Sequence, residues 1–216
     1  MIKKVVIFDL DGTLLNTLQD LTDSTNYALS VLNFPSHSID KIRSFVGNGV
    51  SKLIELSIPN GLENENYEKC LEIFKKHYSQ NMYNKTKPYD GIIEMLVELK
   101  KLGFKTAVVS NKFDYAVKKL CKKYFHNLTD MCVGENEKNG IKKKPSPEAV
   151  FSVVKAFGVN MQDCIYVGDS EVDIQTSKNA GIDFIGVSWG FKDKEFLKNN
   201  GAVNIIDYPL EIIKYL

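Results

Sequence analysis

The 216 residues allow one large domain, or one domain carrying an insertion, with enough core to need no staple. The composition, 44% apolar and 25% charged, is that of an ordinary globular protein. With 28 basic against 27 acidic residues there is no large field of one sign, so nucleic acid is not an expected partner. In chain order, the first predicted element is the strand "KVVIFD" (4–9), an apolar run that drives straight into Asp9 and Asp11. From about Thr17 to Tyr83 no strand pattern follows. "LQDLTDSTNYALSVLNF" has apolar residues at 18, 21, 28, 29 and 32, a helical spacing, and "VSKLIELSI" and "YEKCLEIFKKHYSQNMY" also pattern as helices. The stretch "NKTKPYDG" (84–91) is loop-like, with Pro88 and Gly91.

Beyond it, strands and helices alternate. The helix "IIEMLVELKKLG" (92–103) closes at Gly103, and the strand "KTAVVSN" (105–111) follows. Next come the basic run "KKLCKKY" (118–124), a solvated face, and the strand "DMCVG" (130–134). A helix over 146–158 has Ser146 and Pro147 as N-cap and first residue and ends at Gly158. Strands "DCIYVGD" (163–169), "DFIGVS" (183–188) and "AVNIID" (202–207) complete the series. Their lack of apolar/polar alternation suits strands buried on both faces. The expected fold is α/β: a doubly wound, mostly parallel, Rossmann-like sheet, with a small all-helical insert after the first strand. The expected boundaries are 1–15 and 86–216 for the core and 16–85 for the insert.

Cys70, Cys121, Cys132 and Cys164 are scattered and form no CxxC pair, which argues against a disulfide framework or a zinc site. His37, His77 and His126 are isolated and read as packing or surface residues. No apolar run approaches the ~18 residues of a membrane span, and the N-terminal run is too short for a signal peptide. The expectation is a cytoplasmic protein with reduced thiols and no membrane contact.

In open α/β sheets ligands bind beyond the carboxyl ends of the strands. Those ends carry Asp9 and Asp11, then Ser110 and Asn111, then Asp169, with Lys144 just before a helix. Three converging carboxylates repel unless a cation neutralises them. Hard oxygen ligands suit Mg²⁺, while Lys144, Ser110 and backbone N–H groups suit a phosphate. A carboxylate can attack phosphorus to give an aspartyl-phosphate, and a second acid two residues on can carry the proton.

The segments "DLDGT", "VVSN", "KKPSPE" and "VGDSEVD" stand in the order of the four motifs of the haloacid dehalogenase superfamily, which the chain resembles along essentially its whole length. The first motif matches Asp9, Asp11, Gly12 and Thr13; the second, Ser110; the third, Lys144 before Pro145; the fourth, Gly168, Asp169 and Asp173. "FVGNGVSKLI" (45–54) and "GVSWGF" (186–191) are similar to phosphoglycolate phosphatases; the Rossmann pattern G-x-G-x-x-G fails there because position 52 is Lys. The resemblance implies a Mg²⁺-dependent phosphatase acting on a small phosphorylated metabolite. It implies Asp9 as nucleophile and metal ligand, Asp11 as acid/base with its carbonyl on the metal, and Asp169 as the remaining ligand. Thr13 would steer Asp11, and Asp173 would orient neighbours or act through water. Ser110, Asn111 and Lys144 would hold the phosphate. The helical insert would be a C1 cap, presenting Asn48, Gly49 and Lys52 to the rest of the substrate.

Other readings share these residues. A dehalogenase is disfavoured because Asp11 is present. A β-phosphoglucomutase-like mutase and a nucleotide or pyrophosphate hydrolase share every core motif. A phospho-accepting receiver module, from a different class, has about half this length and neither cap nor DxDGT box. The oligomeric state is not legible.

Overall fold

The computed structural model describes residues 3–137 and 140–216; residues 1, 2, 138 and 139 of the predicted core lie outside the described residues. In chain order the elements are β1 (Val5–Phe8), β2 (Leu15–Asn16), α1 (Leu18–Val31), α2 (Ile39–Phe45), α3 (Val50–Ser57), α4 (Tyr67–Asn81), β3 (Lys87–Pro88), α5 (Ile92–Lys101) and β4 (Lys105–Phe113). They continue with α6 (Asp114–Tyr124), β5 (Met131–Glu135), α7 (Glu148–Phe157), β6 (Cys164–Gly168), α8 (Glu171–Ala180), β7 (Asp183–Val187), α9 (Lys194–Asn199) and β8 (Asn204–Ile206). Among the described residues no helix is long and apolar enough to cross a membrane.

Two compact units result. One comprises Met1–Leu15 and Pro88–Leu216, the other Asn16–Lys87. The first is built on a six-stranded sheet in the order β5-β4-β1-β6-β7-β8, every pair parallel. β1 lies at the centre and is fully buried, which is why its residues show no alternation. One face packs Val5, Ile7, Ala107, Val109 and Tyr166 against α7 residues Val150 and Val153. The register aligns Phe8 with Val108 on one side and Val167 on the other. Within two residues of that level stand Asp9 after β1, Ser110 in β4 and Asp169 after β6, all towards one edge of the sheet. The chain also reverses its direction of progress across the sheet around β1, the place where open α/β sheets bind ligands.

The second unit is helical, with no strand between Thr17 and Thr86. Leu29, Ile42, Ile54 and Phe74 form its buried interior. Its return segment is fixed by Asp20 of α1, whose buried carboxylate accepts hydrogen bonds from the Lys85 and Thr86 N–H groups and the Thr86 hydroxyl, at 2.8–3.1 Å. Those bonds tie Lys85 and Thr86 to the helices and carry this unit to Lys87, past the boundary expected at 85. His37 and His77 are packing residues. The His37 ring meets the Ser57 carbonyl at 2.8 Å; His77 stacks on Tyr27 and meets the Ser24 hydroxyl.

One helix start differs from expectation. α7 begins at Glu148, with Pro147 as its N-cap, while the Ser146 hydroxyl is spent on the Glu148 carboxylate. A proline needs no N–H partner, so it is tolerated at that boundary. All four cysteines are free thiols.

Candidate active site

The tail of β1 supplies the first two acids. Asp9 is buried, and its N–H donates to Val167 O at 2.9 Å, continuing the sheet pairing. The chain then turns back on Leu10, whose carbonyl accepts from the N–H groups of Leu14 and Leu15 at 3.0 and 2.9 Å. Gly12 makes the turn with φ +86°, and a Cβ there would overlap the Asp169 carboxylate. The turn therefore requires glycine both for its backbone and for its proximity to the site. Leu10, between the two acids, is fully buried.

Lys144 is buried and sits between two of the acids, with Nζ 2.8 Å from Asp9 Oδ1 and 2.6 Å from Asp173 Oδ1. It also lies 5.7 Å from the centre of the Tyr166 ring. Its backbone is held by the Asn111 amide: Lys144 N–H donates to Oδ1 at 2.6 Å, and Nδ2 donates to the Lys144 carbonyl at 3.1 Å. The Asn111 side chain, expected at the phosphate, thus also fixes the backbone of the lysine loop. Ser110 is buried within β4, where its hydroxyl accepts from Lys112 N–H at 3.3 Å.

Asp169 is held from two sides. Thr13 Oγ1 donates to Oδ1 at 3.0 Å, and Phe191 N–H donates to Oδ2 at 2.7 Å. The Thr13 hydroxyl therefore steers Asp169, and not Asp11 as the sequence suggested. Asp11 is held instead by Lys112, whose Nζ lies 2.9 Å from Oδ2. Trp189 Nε1 donates to the Thr13 carbonyl at 3.0 Å. Gly190 packs so closely on Asp169 that a Cβ would overlap it and the Gly12 carbonyl. At the start of α8, Ser170 and Asp173 form a reciprocal capping box, and the Ser170 hydroxyl donates to Asp173 Oδ2 at 2.6 Å. With Lys144 on its other oxygen, Asp173 is placed to orient the lysine.

Asp9, Asp169 and Asp173 bring carboxylate oxygens within 4.8 Å of one another. Burial pushes the Asp9 carboxyl up to about 7; Lys144 opposes the rise, and the neighbouring charges of Asp173 and Asp11 add to it. Asp169 is driven well above the usual carboxylate range by burial and then by Asp173 and Asp9, against the pull of its two donors. Burial alone would lower Lys144, but Asp173 and Asp9 outweigh it and hold the ammonium well above its ordinary value. Four carboxylates (Asp9, Asp11, Asp169, Asp173) thus share two ammonium groups (Lys112, Lys144), and the raised Asp9 and Asp169 carboxyls reflect the shortage of positive charge.

Sequence reasoning missed Lys112 and the contacts of Trp189, Gly190 and Phe191. The signal for Lys112 was its place directly after Ser110 and Asn111 at a buried strand end. Of the residues expected in the helical unit, Asn48 is exposed, Gly49 caps α3 with φ +84°, and Lys52 in its first turn pairs with Glu55.

The haloacid dehalogenase-like hydrolase family model matches residues 6–187, a span that contains every one of these acids and both lysines. The chain belongs to that family. It is 33% identical over 215 residues to the phosphoglycolate phosphatase of Pseudomonas savastanoi pv. phaseolicola, covering 94% of this chain and 76% of the relative. It is 35% identical over 191 residues to that of Aquifex aeolicus, covering 87% and 86%. A crystal structure from Lactobacillus delbrueckii subsp. bulgaricus superposes with a TM-score of 0.93 at 34% identity, over 100% of this chain and 98% of that one. The Rossmann-like α/β fold is shared with that structure.

Proposed function

We propose that this haloacid dehalogenase-like phosphatase hydrolyses 2-phosphoglycolate, or a close carboxylated phosphomonoester, with Mg²⁺ as cofactor. The observation that carries the reaction is the convergence of Asp9, Asp169 and Lys144 at one sheet edge, with Asp11 two residues beyond Asp9. The names of the relatives support the substrate. The residues present fit a small divalent cation. The donors are all oxygen, four carboxylates share two ammonium groups, and buried Asp9 Oδ1 meets Lys144 Nζ at 2.8 Å without a well-directed hydrogen bond. Asp9, the Asp11 carbonyl and Asp169 would hold Mg²⁺, which supplies charge neutralisation for the transferring phosphoryl group.

In this reading Lys144 and Ser110 bind phosphate oxygens. An Asp9 oxygen attacks phosphorus as the ester P–O bond breaks, and the Asp11 carboxylic acid gives its proton to the departing alkoxide. Water then attacks phosphorus and gives a proton to the Asp11 carboxylate, while the bond from phosphorus to Asp9 breaks. Thr13 and Phe191 keep Asp169 in place, and Asp173 and Asn111 keep Lys144 in place. Asn48, Gly49 and Lys52 are assigned to selection of the substrate's carboxylate. A cytoplasmic setting belongs to this reading, and the four free thiols support it.

A panel of 2-phosphoglycolate, pyrophosphate, sugar phosphates and nucleotides, assayed with Mg²⁺ and with chelator, tests this. The expected result is the highest kcat/KM on 2-phosphoglycolate and loss of all turnover on chelation. A tenfold preference for another ester overturns the substrate, and full activity under chelation overturns the metal.

A further inference from the structure

Lys112 is a buried cation for which the reaction above has no use. It lies at the end of β4, where the pairing with β5 shifts register between Val109 and Phe113. Its side chain is 2% exposed, and its Nζ is 2.9 Å from Asp11 Oδ2. Withdrawing an ammonium from water is costly unless an opposite charge compensates, so a lysine at this depth is committed to a partner. Each acid after β1 therefore meets a buried lysine: Asp9 meets Lys144, which it shares with Asp173, and Asp11 meets Lys112. Asp11 stands on a turn, where an aspartate has two soft torsions. Lys112 stands on a strand fixed by buried neighbours, a firmer base from which to aim a side chain.

We infer that Lys112 is a positioning residue that holds the Asp11 carboxyl in the orientation from which it exchanges protons with the leaving oxygen and with water. The inference rests on the acid/base reading of Asp11. Lys112 keeps its own protons throughout: Asp11 loses one to the alkoxide in the first half-reaction and regains one from water in the second. A misplacement of about 1 Å at such a group costs on the order of 100-fold, which sets the scale of the effect.

The experiment measures single-turnover phosphorylation of Lys112→Met, Lys112→Arg and Asp11→Asn on an alkyl ester, 2-phosphoglycolate, and an aryl ester, 4-nitrophenyl phosphate. The aryl leaving group needs little protonation. Lys112→Met is expected to slow the alkyl ester by about 10- to 100-fold and the aryl ester by less than about threefold, with KM little changed. Lys112→Arg, which keeps the cation, is expected to recover most of the loss. Equal losses on both esters, no loss on either, or a rise in KM at constant kcat would overturn the inference; the last would make Lys112 a phosphate ligand. If Lys112→Met does not fold, Lys112→Gln is measured against the same criteria. Asp11→Asn separates the two levels. If it fails to discriminate between the esters, the acid/base reading itself falls; if it discriminates and the Lys112 variants do not, only the positioning role falls.

Discussion

Lysine–aspartate pairs stand at both ends of the same sheet, and they differ in kind. Where the strands begin, Lys4 meets Asp163 at 3.3 Å and Lys105 meets Asp130 at 3.1 Å, with the lysines 62% and 58% exposed. Lys3 is itself buried, but its partner Asp183 is a carboxylate 69% exposed. Where the strands finish, Lys112 and Lys144 are 2% and 3% exposed and meet Asp11, Asp9 and Asp173 at 2.6–2.9 Å. Exposed pairs contribute about 0–1 kcal/mol and tolerate loss. Buried ones are a costly way to stabilise a fold, and removing one partner leaves the other uncompensated. The difference separates ordinary surface electrostatics from charge retained for chemistry.

The largest expected effect comes from the finishing end. Asp9→Asn should reduce turnover by about 10⁴-fold or more, because the amide keeps the shape and loses the attacking oxygen. Activity within tenfold of wild type would remove Asp9 from its role and erase the contrast between the two ends.

Next is Gly190→Ala, which touches no substrate group. Its Cβ would overlap Asp169 and the Gly12 carbonyl, so Asp169 must move. Mg²⁺ affinity should weaken by about 10- to 100-fold, as for the loss of a group that orients a metal ligand. Trp189, the only tryptophan in the chain and a hydrogen-bond donor to Thr13, allows a titration by its emission. Unchanged affinity would show that Asp169 has room to spare.

A smaller effect concerns pH. In metal-free protein the Asp9 carboxyl rises from 3.8 to about 7 on folding, and Asp169 moves the same way. Between those values the folded state binds more protons than the unfolded one, so stability falls as pH rises through about 4 to 7. Asp9→Asn abolishes that loss. Its Tm should come closest to wild type below about pH 4, before the loss begins, and exceed it by several degrees at pH 8, at about 2–4 °C per kcal/mol for a chain of this size. Melting curves that keep the same separation at both pH values would contradict the shift. Saturating Mg²⁺ should narrow the pH 8 gap by stabilising wild type.

The smallest belongs to the beginning of the strands. Lys105→Met keeps the aliphatic stem and removes the charge. Asp130 retains a hydrogen bond from Thr106 N–H at 2.9 Å. Turnover should be unchanged and Tm should move by no more than about 3 °C. A large loss would mean that the two ends of the sheet are not separate in function.

The sequence placed the six strands of the sheet to within two residues or so, because each is an apolar run ended by a polar or small residue. It expected Asp9 and Asp169 at one edge for the same reason, since strand ends are local in sequence and the parallel register makes β1 and β6 neighbours; Lys144 it expected there from its place just before a helix. What it could not show was the destination of each side chain. Thr13 is two residues from Asp11 and yet donates to Asp169, 156 positions away. Asn111 looks like a ligand beside Ser110 and also grips the Lys144 backbone. The short crossings β2 and β3 carry too few residues for any periodicity to register. Gly190 is invisible as a site residue because what matters there is a missing atom.

The Asp20 clamp has a consequence for how such a chain comes to exist. One buried carboxylate near the start of α1 grips Lys85 and Thr86, so the first and last turns of a seventy-residue stretch are pinned beside each other. A segment whose ends already meet is portable. It can be spliced into a surface turn of a host protein, or cut out and replaced by a few residues, at a loop-closure cost that grows only logarithmically with its length. In lineages that exchange such segments, the carboxylate at this position would be the part of the module that makes it transferable.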